Sequence, residues 1–323
     1  MRITKKHSLI IILIIFFSGC FIIDNNLGRG YRYDHGGNYY GTNPSISNNG
    51  KKIVFGSICY GLGDICIVDI DGLNYQRLTY NASYEGEPKF SNDSKKIVFI
   101  SERDDGDTGH IYIMDIDGSN QKQITNTKYY DSCPSFSPEG DKIIFNRELA
   151  GRNYQIYIIN IDGTNEKQLT FNKENASRPR FSPHGNKIIY EDWPEVWSMN
   201  IDGSQKTLLI KMMENCGAPS FSSDENKIVF INNRIDYQDE AKSSVEIWIM
   251  NREGTEQKQI TFTKSYKEFP SFSYDNSKIL FFEREKYDRG KGQIRIINVD
   301  GTNLRTITNN YCVSGKRELG GAR

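Results

Sequence analysis

The sequence predicts an all-β fold, a six-bladed β-propeller built of four-stranded antiparallel blades. Three observations carry that prediction. One residue pattern occurs six times between residues 43 and 308, at a period of roughly 45 residues. Each occurrence reads as four short β segments bounded by turn residues. The distance that joins one unit to the next is constant, whereas one internal loop varies.

The elements follow in order. Strand A begins at Pro44-Ser45-Ile46-Ser47, Pro88-Lys89-Phe90-Ser91, Pro134-Ser135-Phe136-Ser137, Pro179-Arg180-Phe181-Ser182, Pro219-Ser220-Phe221-Ser222 and Pro270-Ser271-Phe272-Ser273. Proline donates no ladder hydrogen bond, so it is placed at the start of a strand. Five residues after each final serine stands a lysine: Lys52, Lys96, Lys142, Lys187, Lys227 and Lys278. Each lysine opens strand B, an apolar triplet such as Ile53-Val54-Phe55 or Ile143-Ile144-Phe145. Between A and B lie turns such as Ser137-Pro138-Glu139-Gly140, where Pro presets φ and Gly accepts a positive one. Strand C is a second β-branched segment, such as Ile111-Tyr112-Ile113-Met114 or Ile247-Trp248-Ile249-Met250. It ends in Asp71-Gly72, Asp117-Gly118, Asp162-Gly163, Asp202-Gly203, Glu253-Gly254 or Asp300-Gly301, which predicts a tight hairpin into strand D, as in Gln123-Ile124-Thr125. The regular Phe and Tyr positions are expected to pack blade against blade. Six units of four strands give six blades.

The string Pro134-Ser135-Phe136-Ser137-Pro138-Glu139-Gly140-Asp141-Lys142-Ile143-Ile144-Phe145, continued by Ile156 to Gly163, resembles the repeat of the TolB-type propeller, the WD40-like PD40 repeat. The resemblance covers about residues 43–308 and implies the propeller fold. Fold does not imply function, so the resemblance implies a binding scaffold only in outline. TolB proteins carry an α/β domain before the propeller, whereas here some twenty residues separate Cys20 from the first repeat.

The amino-terminal region reads as an export signal. Arg2, Lys5 and Lys6 precede an unbroken apolar run from Leu9 to Phe17, followed by Ser18-Gly19-Cys20. Nine apolar residues are too few to span a bilayer. Phe17-Ser18-Gly19-Cys20 resembles a lipobox, which implies a lipid on Cys20 and a mature chain that begins there. The expected organisation is a signal peptide over 1–19, a tether over 20–42, the propeller over 43–308 and a tail over 309–323. The expected location is the bacterial cell envelope, with a membrane anchor. The whole sequence has 41 basic and 41 acidic side chains, and loss of residues 1–19 leaves 38 against 41. No basic field gathers phosphates, so nucleic acid is not an expected partner. Of the remaining cysteines, Cys59 and Cys66 flank one predicted hairpin loop, where a disulfide and two free thiols are both compatible with the spacing.

Spacing also places the working surface. From each turn glycine to the next unit's proline is always 16 residues, whereas the stretch from strand B to that glycine runs from 16 to 27. All length variation therefore falls in the B–C loop. Following the chain, the D–A crossings and the B–C loops share one face, and the A–B and C–D turns share the other. Variable loops on a rigid frame carry binding. Candidate contacts on the D–A crossings are Tyr84, Glu85, Tyr129, Tyr130, Asp131, Arg178, Tyr266, Lys267 and Glu268. The longest B–C loop, Ile231 to Glu246, adds Arg234, Asp236 and Tyr237.

Catalytic signals are missing from the sequence. No Gly-x-Ser-x-Gly elbow, phosphate loop or His-Glu-x-x-His occurs, and no cofactor is expected. The recurring Asp-x-Asp-Gly-x-Asn lacks the further oxygens of a calcium loop and reads as a turn. The six lysines are expected on the sheet surface. Some polysaccharide lyases with related propellers hold a metal with several histidines, but only His35, His110 and His184 follow Cys20. The expected function is docking of an envelope protein partner, with glycan binding or weak lyase activity as the alternative.

Overall fold

In a computed structural model the described residues are 43–57, 63–104, 108–151, 153–172, 175–192, 195–210, 216–234, 243–285 and 292–308. They form 24 strands in six consecutive antiparallel sets, each paired in the order A-B-C-D. In the third unit these strands are Tyr130–Phe136, Lys142–Leu149, Asn153–Asn160 and Lys167–Gln168. A single parallel pairing, Val245 with Tyr266, joins the fifth and sixth sets into one sheet. No helix occurs among the described residues.

The repeated serine and lysine build the A–B turn. Each serine hydroxyl accepts the N–H of the lysine five residues on, from Ser47 with Lys52 at 2.9 Å to Ser273 with Lys278 at 3.0 Å. The lysines start strand B opposite the last residue of strand C. Lys52 and Lys96 pair there with Asp69 and Asp115, at 2.7 and 2.8 Å. They lie on the sheet surface, as expected, and form no anion ring.

The C–D connection turns tightly at Asp-Gly, as expected: the Gly72 N–H donates to the Asp69 carbonyl at 2.8 Å and the Asp69 N–H to the Leu73 carbonyl at 2.9 Å. Strand C ends at Asp69 and strand D begins at Gln76. The Asp71 carboxylate accepts the Leu73 N–H at 2.9 Å, and the chain bends through two left-handed residues, Gly72 and Asn74. Equivalent bonds recur at Asp117, Asp162, Asp202 and Asp300. These hydroxyl and N–H donors hold the four carboxyls below their usual range. The glycine has a second duty. A Cβ at Gly118 would lie 2.8 Å from the Leu78 carbonyl oxygen of the preceding unit. Strand D itself is only two residues long in five units. Two residues beyond it stands a threonine whose hydroxyl accepts a strand C N–H, as Thr79 does from Ile65 at 2.9 Å and Thr308 from Ile294 at 3.0 Å. Unit four has no threonine there, and its strand D, Thr207–Ile210, continues the ladder instead.

Six apolar clusters lie between successive units, and each contains one fully buried strand B aromatic. Phe99 sits between units one and two, Phe145 between two and three, Tyr190 between three and four, Phe230 between four and five, and Phe281 between five and six. Phe55 completes the set between units six and one, among Leu280, Phe282, Ile294 and Ile296. The ring thus closes by face-to-face packing. All four strands of the first described blade come from the first repeat.

Tyr190 is the one tyrosine at this position. Its hydroxyl is buried and has no hydrogen-bond partner among the described residues. Burial pushes its ionisation up. Tyr190→Phe is therefore expected to leave stability unchanged or to raise it by about 1 kcal/mol, measured as the urea midpoint. A loss of more than about 1 kcal/mol would show that the hydroxyl has a partner.

Candidate binding face

The loop face is assembled by bonds between each B–C loop and the next unit's strand A. The Glu85 N–H donates to the Gly63 carbonyl at 3.2 Å, and the Asp131 N–H to Gly109 at 2.9 Å. Glycine is needed at both places. The Tyr130 ring lies so close to Gly109 that a Cβ there would be 2.7 Å from it, and Tyr84 lies as close to Gly63 at 2.8 Å. Tyr130 Oη donates to Glu102 at 3.0 Å. The D–A crossings and B–C loops therefore do meet on one face.

Beneath this face runs a belt of ion pairs. Asp131, fully buried, accepts Arg147 Nε and Nη2 at 2.6 and 3.0 Å, and Arg147 also reaches Glu166 at 2.6 Å. The Arg147 guanidinium lies over the Tyr157 ring at 4.6 Å. Burial raises Asp131 while Arg147 opposes it. Glu85 pairs with Arg103, which covers Tyr112 at 4.6 Å. Glu268 pairs with Arg284 at 2.8 Å, and the buried Lys267 with Glu246 at 2.9 Å. Burial lowers Lys267, and Glu246 holds it up.

The sequence candidates thus separate into groups. Glu85, Asp131, Lys267 and Glu268 are buried in ion pairs and hold the frame instead of facing solvent. Tyr84, Tyr129, Tyr130 and Tyr266 are half-buried. Arg178 lies away from the loops, on the central cavity, paired with Glu191 at 2.8 Å. Arg234 ends strand B of the fifth unit, which runs from Lys227, so that the B–C loop is shorter than the span from 231 to 246. Asp236, Tyr237, Cys20 and Cys59 lie outside the described residues. Cys66 is buried with Sγ 2.9 Å from Tyr75 Oη.

Three exposed aromatics on this face escaped the sequence reading; a fourth, Tyr274, lies in an A–B turn. Tyr80, Phe171 and Phe262 are 71%, 75% and 77% exposed. Each directly follows the threonine that closes strand D, in units one, three and five, so the repeat places all three on one rim. Their signal was an apolar ring at the start of a D–A crossing, where a loop needs none. The described histidines do not gather. His110 is buried at the start of a strand C, whereas His184 is exposed in an A–B turn beside Glu225. The Cys133 thiol is pushed up by burial, which disfavours the nucleophilic thiolate.

A profile of the TolB β-propeller domain (PD40) matches residues 34–148, 104–194 and 150–317. The chain belongs to the TolB β-propeller family. Among solved structures, its fold is similar to TolB from Acinetobacter baumannii, with a TM-score of 0.67 and 21% identity over 80% of this chain and 63% of that one. The chain thus spans less than two thirds of that TolB. A protein assigned as TolB in Agrobacterium tumefaciens gives 0.65 and 19%, over 77% of this chain and 89% of that one. An oligogalacturonate lyase in complex with manganese shares the fold at 0.58 and 12%, over 84% and 77%. No match was found among curated proteins. At these identities the TolB likeness establishes the fold.

Proposed function

We propose that this TolB-like propeller is a binding scaffold that docks a protein partner of the cell envelope on its loop face, held to a membrane by a lipid on Cys20. The observation that carries the reading is the contrast between the two faces. On the A–B side the turns are tied by internal bonds, such as Asn48 N–H to Ser94 Oγ at 2.8 Å and Ser223 N–H to Asn276 Oδ1 at 2.8 Å, and a single exposed aromatic, Tyr274, is found there among the described residues. On the other side, Tyr80, Phe171 and Phe262 are left exposed above a rigid ion-paired frame. Exposed aromatics on a fixed frame are typical interface anchors.

The test is capture of envelope proteins from membrane extracts by the intact lipidated chain. The triple variant Tyr80→Ala, Phe171→Ala, Phe262→Ala is expected to weaken capture by about tenfold or more, with an unchanged thermal midpoint. Undiminished capture would remove this face from the function. Acyl labelling is expected to vanish in Cys20→Ala, and its persistence would defeat the anchor.

The fold shared with oligogalacturonate lyase supports a second reading, glycan binding with or without weak lyase activity. A glycan array and a lyase assay with added divalent cation distinguish it. Silence in both leaves the scaffold reading alone.

A further inference from the structure

A cavity of about 210 Å³ is lined by strand A of all six units, which puts it at the centre of the ring. Its wall includes the residue that follows the repeat proline in every unit: Ser45, Lys89, Ser135, Arg180, Ser220 and Ser271. That level of the channel therefore carries four hydroxyls and two cations, and no carboxylate.

Neither cation makes a direct ion pair among the described residues, and Glu87 acts on both from further away. Arg180 donates Nη1 to the Pro179 carbonyl at 2.9 Å and has no carboxylate within 4 Å among the described residues. Lys89 donates Nζ to Asn43 Oδ1 at 2.6 Å and to the Pro44 carbonyl at 3.1 Å, both neutral acceptors. The nearby acids touch other groups directly. Glu87 accepts the Cys133 N–H, and Glu191 accepts the Ala218 N–H and pairs with Arg178. Ser271 Oγ is buried without a hydrogen-bond partner on the same wall. Burial first, and then Arg180, hold Lys89 well below its usual range. Lys89 and Arg180 are half-buried, and around the channel three cations, Lys89, Arg178 and Arg180, stand against two carboxylates, Glu87 and Glu191, an excess of one positive charge.

We propose that the central channel is an oxyanion site, in which a compact carboxylate or phosphate ligand is held by the Arg180 guanidinium and the Lys89 ammonium among the serine hydroxyls. The guanidinium presents a planar fork that matches two oxygens of either group, and the ammonium adds a point charge. Two cations lining one channel disfavour a metal ion at the same place. The site does not depend on the partner-docking face and survives if that reading fails.

Thermal unfolding of the full-length protein tests it, in sodium phosphate, sodium succinate and sodium chloride at matched ionic strength. Phosphate or succinate is expected to raise the midpoint saturably by about 3 °C or more over chloride. Whichever of the two acts at lower concentration identifies the ligand class. Arg180→Gln is expected to abolish the rise, and in chloride alone to be at least as stable as the parent, since it removes one of three channel cations set against two carboxylates. Lys89→Met is expected to raise the concentration needed at least tenfold, and it serves if Arg180→Gln does not fold. Equal midpoints in all three salts overturn the proposal, as does a rise that persists unchanged in either variant.

Discussion

Arg147→Met is expected to destabilise the protein by about 3–5 kcal/mol at neutral pH, read as the urea midpoint. The reason is the charge left behind. Asp131 has no exposed surface, and the Arg147 side chain is only 5% exposed. The arginine satisfies both Asp131 and Glu166 and lies over two aromatic rings, Phe145 and Tyr157. Methionine fills much of the volume but neutralises neither acid. Burial already raises Asp131, and without Arg147 it rises further. A carboxyl whose folded-state value lies above its unfolded value binds protons better when folded, so its penalty grows as pH rises through that window. The deficit of Arg147→Met should therefore shrink as the pH is lowered toward the unfolded carboxylate value. Adding Asp131→Asn should recover part of it at neutral pH. A deficit below about 1 kcal/mol, or one independent of pH, would show that the pair is not the buried strut described.

Phe55→Ala is expected to cost about 3–5 kcal/mol, the range for emptying a fully buried aromatic site. Its importance lies in where the side chain sits. Phe55 packs against Leu280, Phe282 and Ile294, more than two hundred residues away in sequence, and so closes the ring. Phe145 occupies the corresponding place between two units adjacent in sequence. If closure by packing is as tight as the other junctions, Phe55→Ala and Phe145→Ala should lower the urea midpoint by similar amounts. A further contact supports that equality. A Cβ at Gly72 would lie 2.5 Å from the Ile307 carbonyl oxygen, the same approach of turn glycine to preceding unit that Gly118 makes. A markedly smaller loss for Phe55→Ala would mean that the first and last units are held by something other than this cluster.

Much of the fold was legible because it is local. Ser137 and Lys142 are five residues apart and bond directly, so the repeat of Ser and Lys announces the A–B turn. The alternation of turn chemistry with β-branched triplets announces strands B and C. The Asp-Gly pair announces the C–D turn in the same way, since the aspartate accepts the N–H two residues on, as Asp71 does, and the glycine takes the left-handed conformation. The binding face was legible as a face, since loop parity follows from strand count, but its residues were not. Glu85 and Asp131 read as surface charge because a carboxylate's letter is the same whether it meets water or a buried arginine. Tyr80, Phe171 and Phe262 went unread because an aromatic beside a strand usually continues the core.

The sequence by itself determined the number of units, the order of their strands, the turn chemistry and the face that carries variable loops. Each of these depends on residues a few positions apart, or on a spacing that can be counted. Only the tertiary structure decided which charges are buried, how the ring closes and what meets at its centre. Phe55 and Ile294, and Lys89 and Arg180, are brought together by the turn of the ring, whereas Arg147 and Asp131 meet across one strand pair of the third unit, and the energies of all three depend on how much water is excluded where they meet. No local pattern records that exclusion.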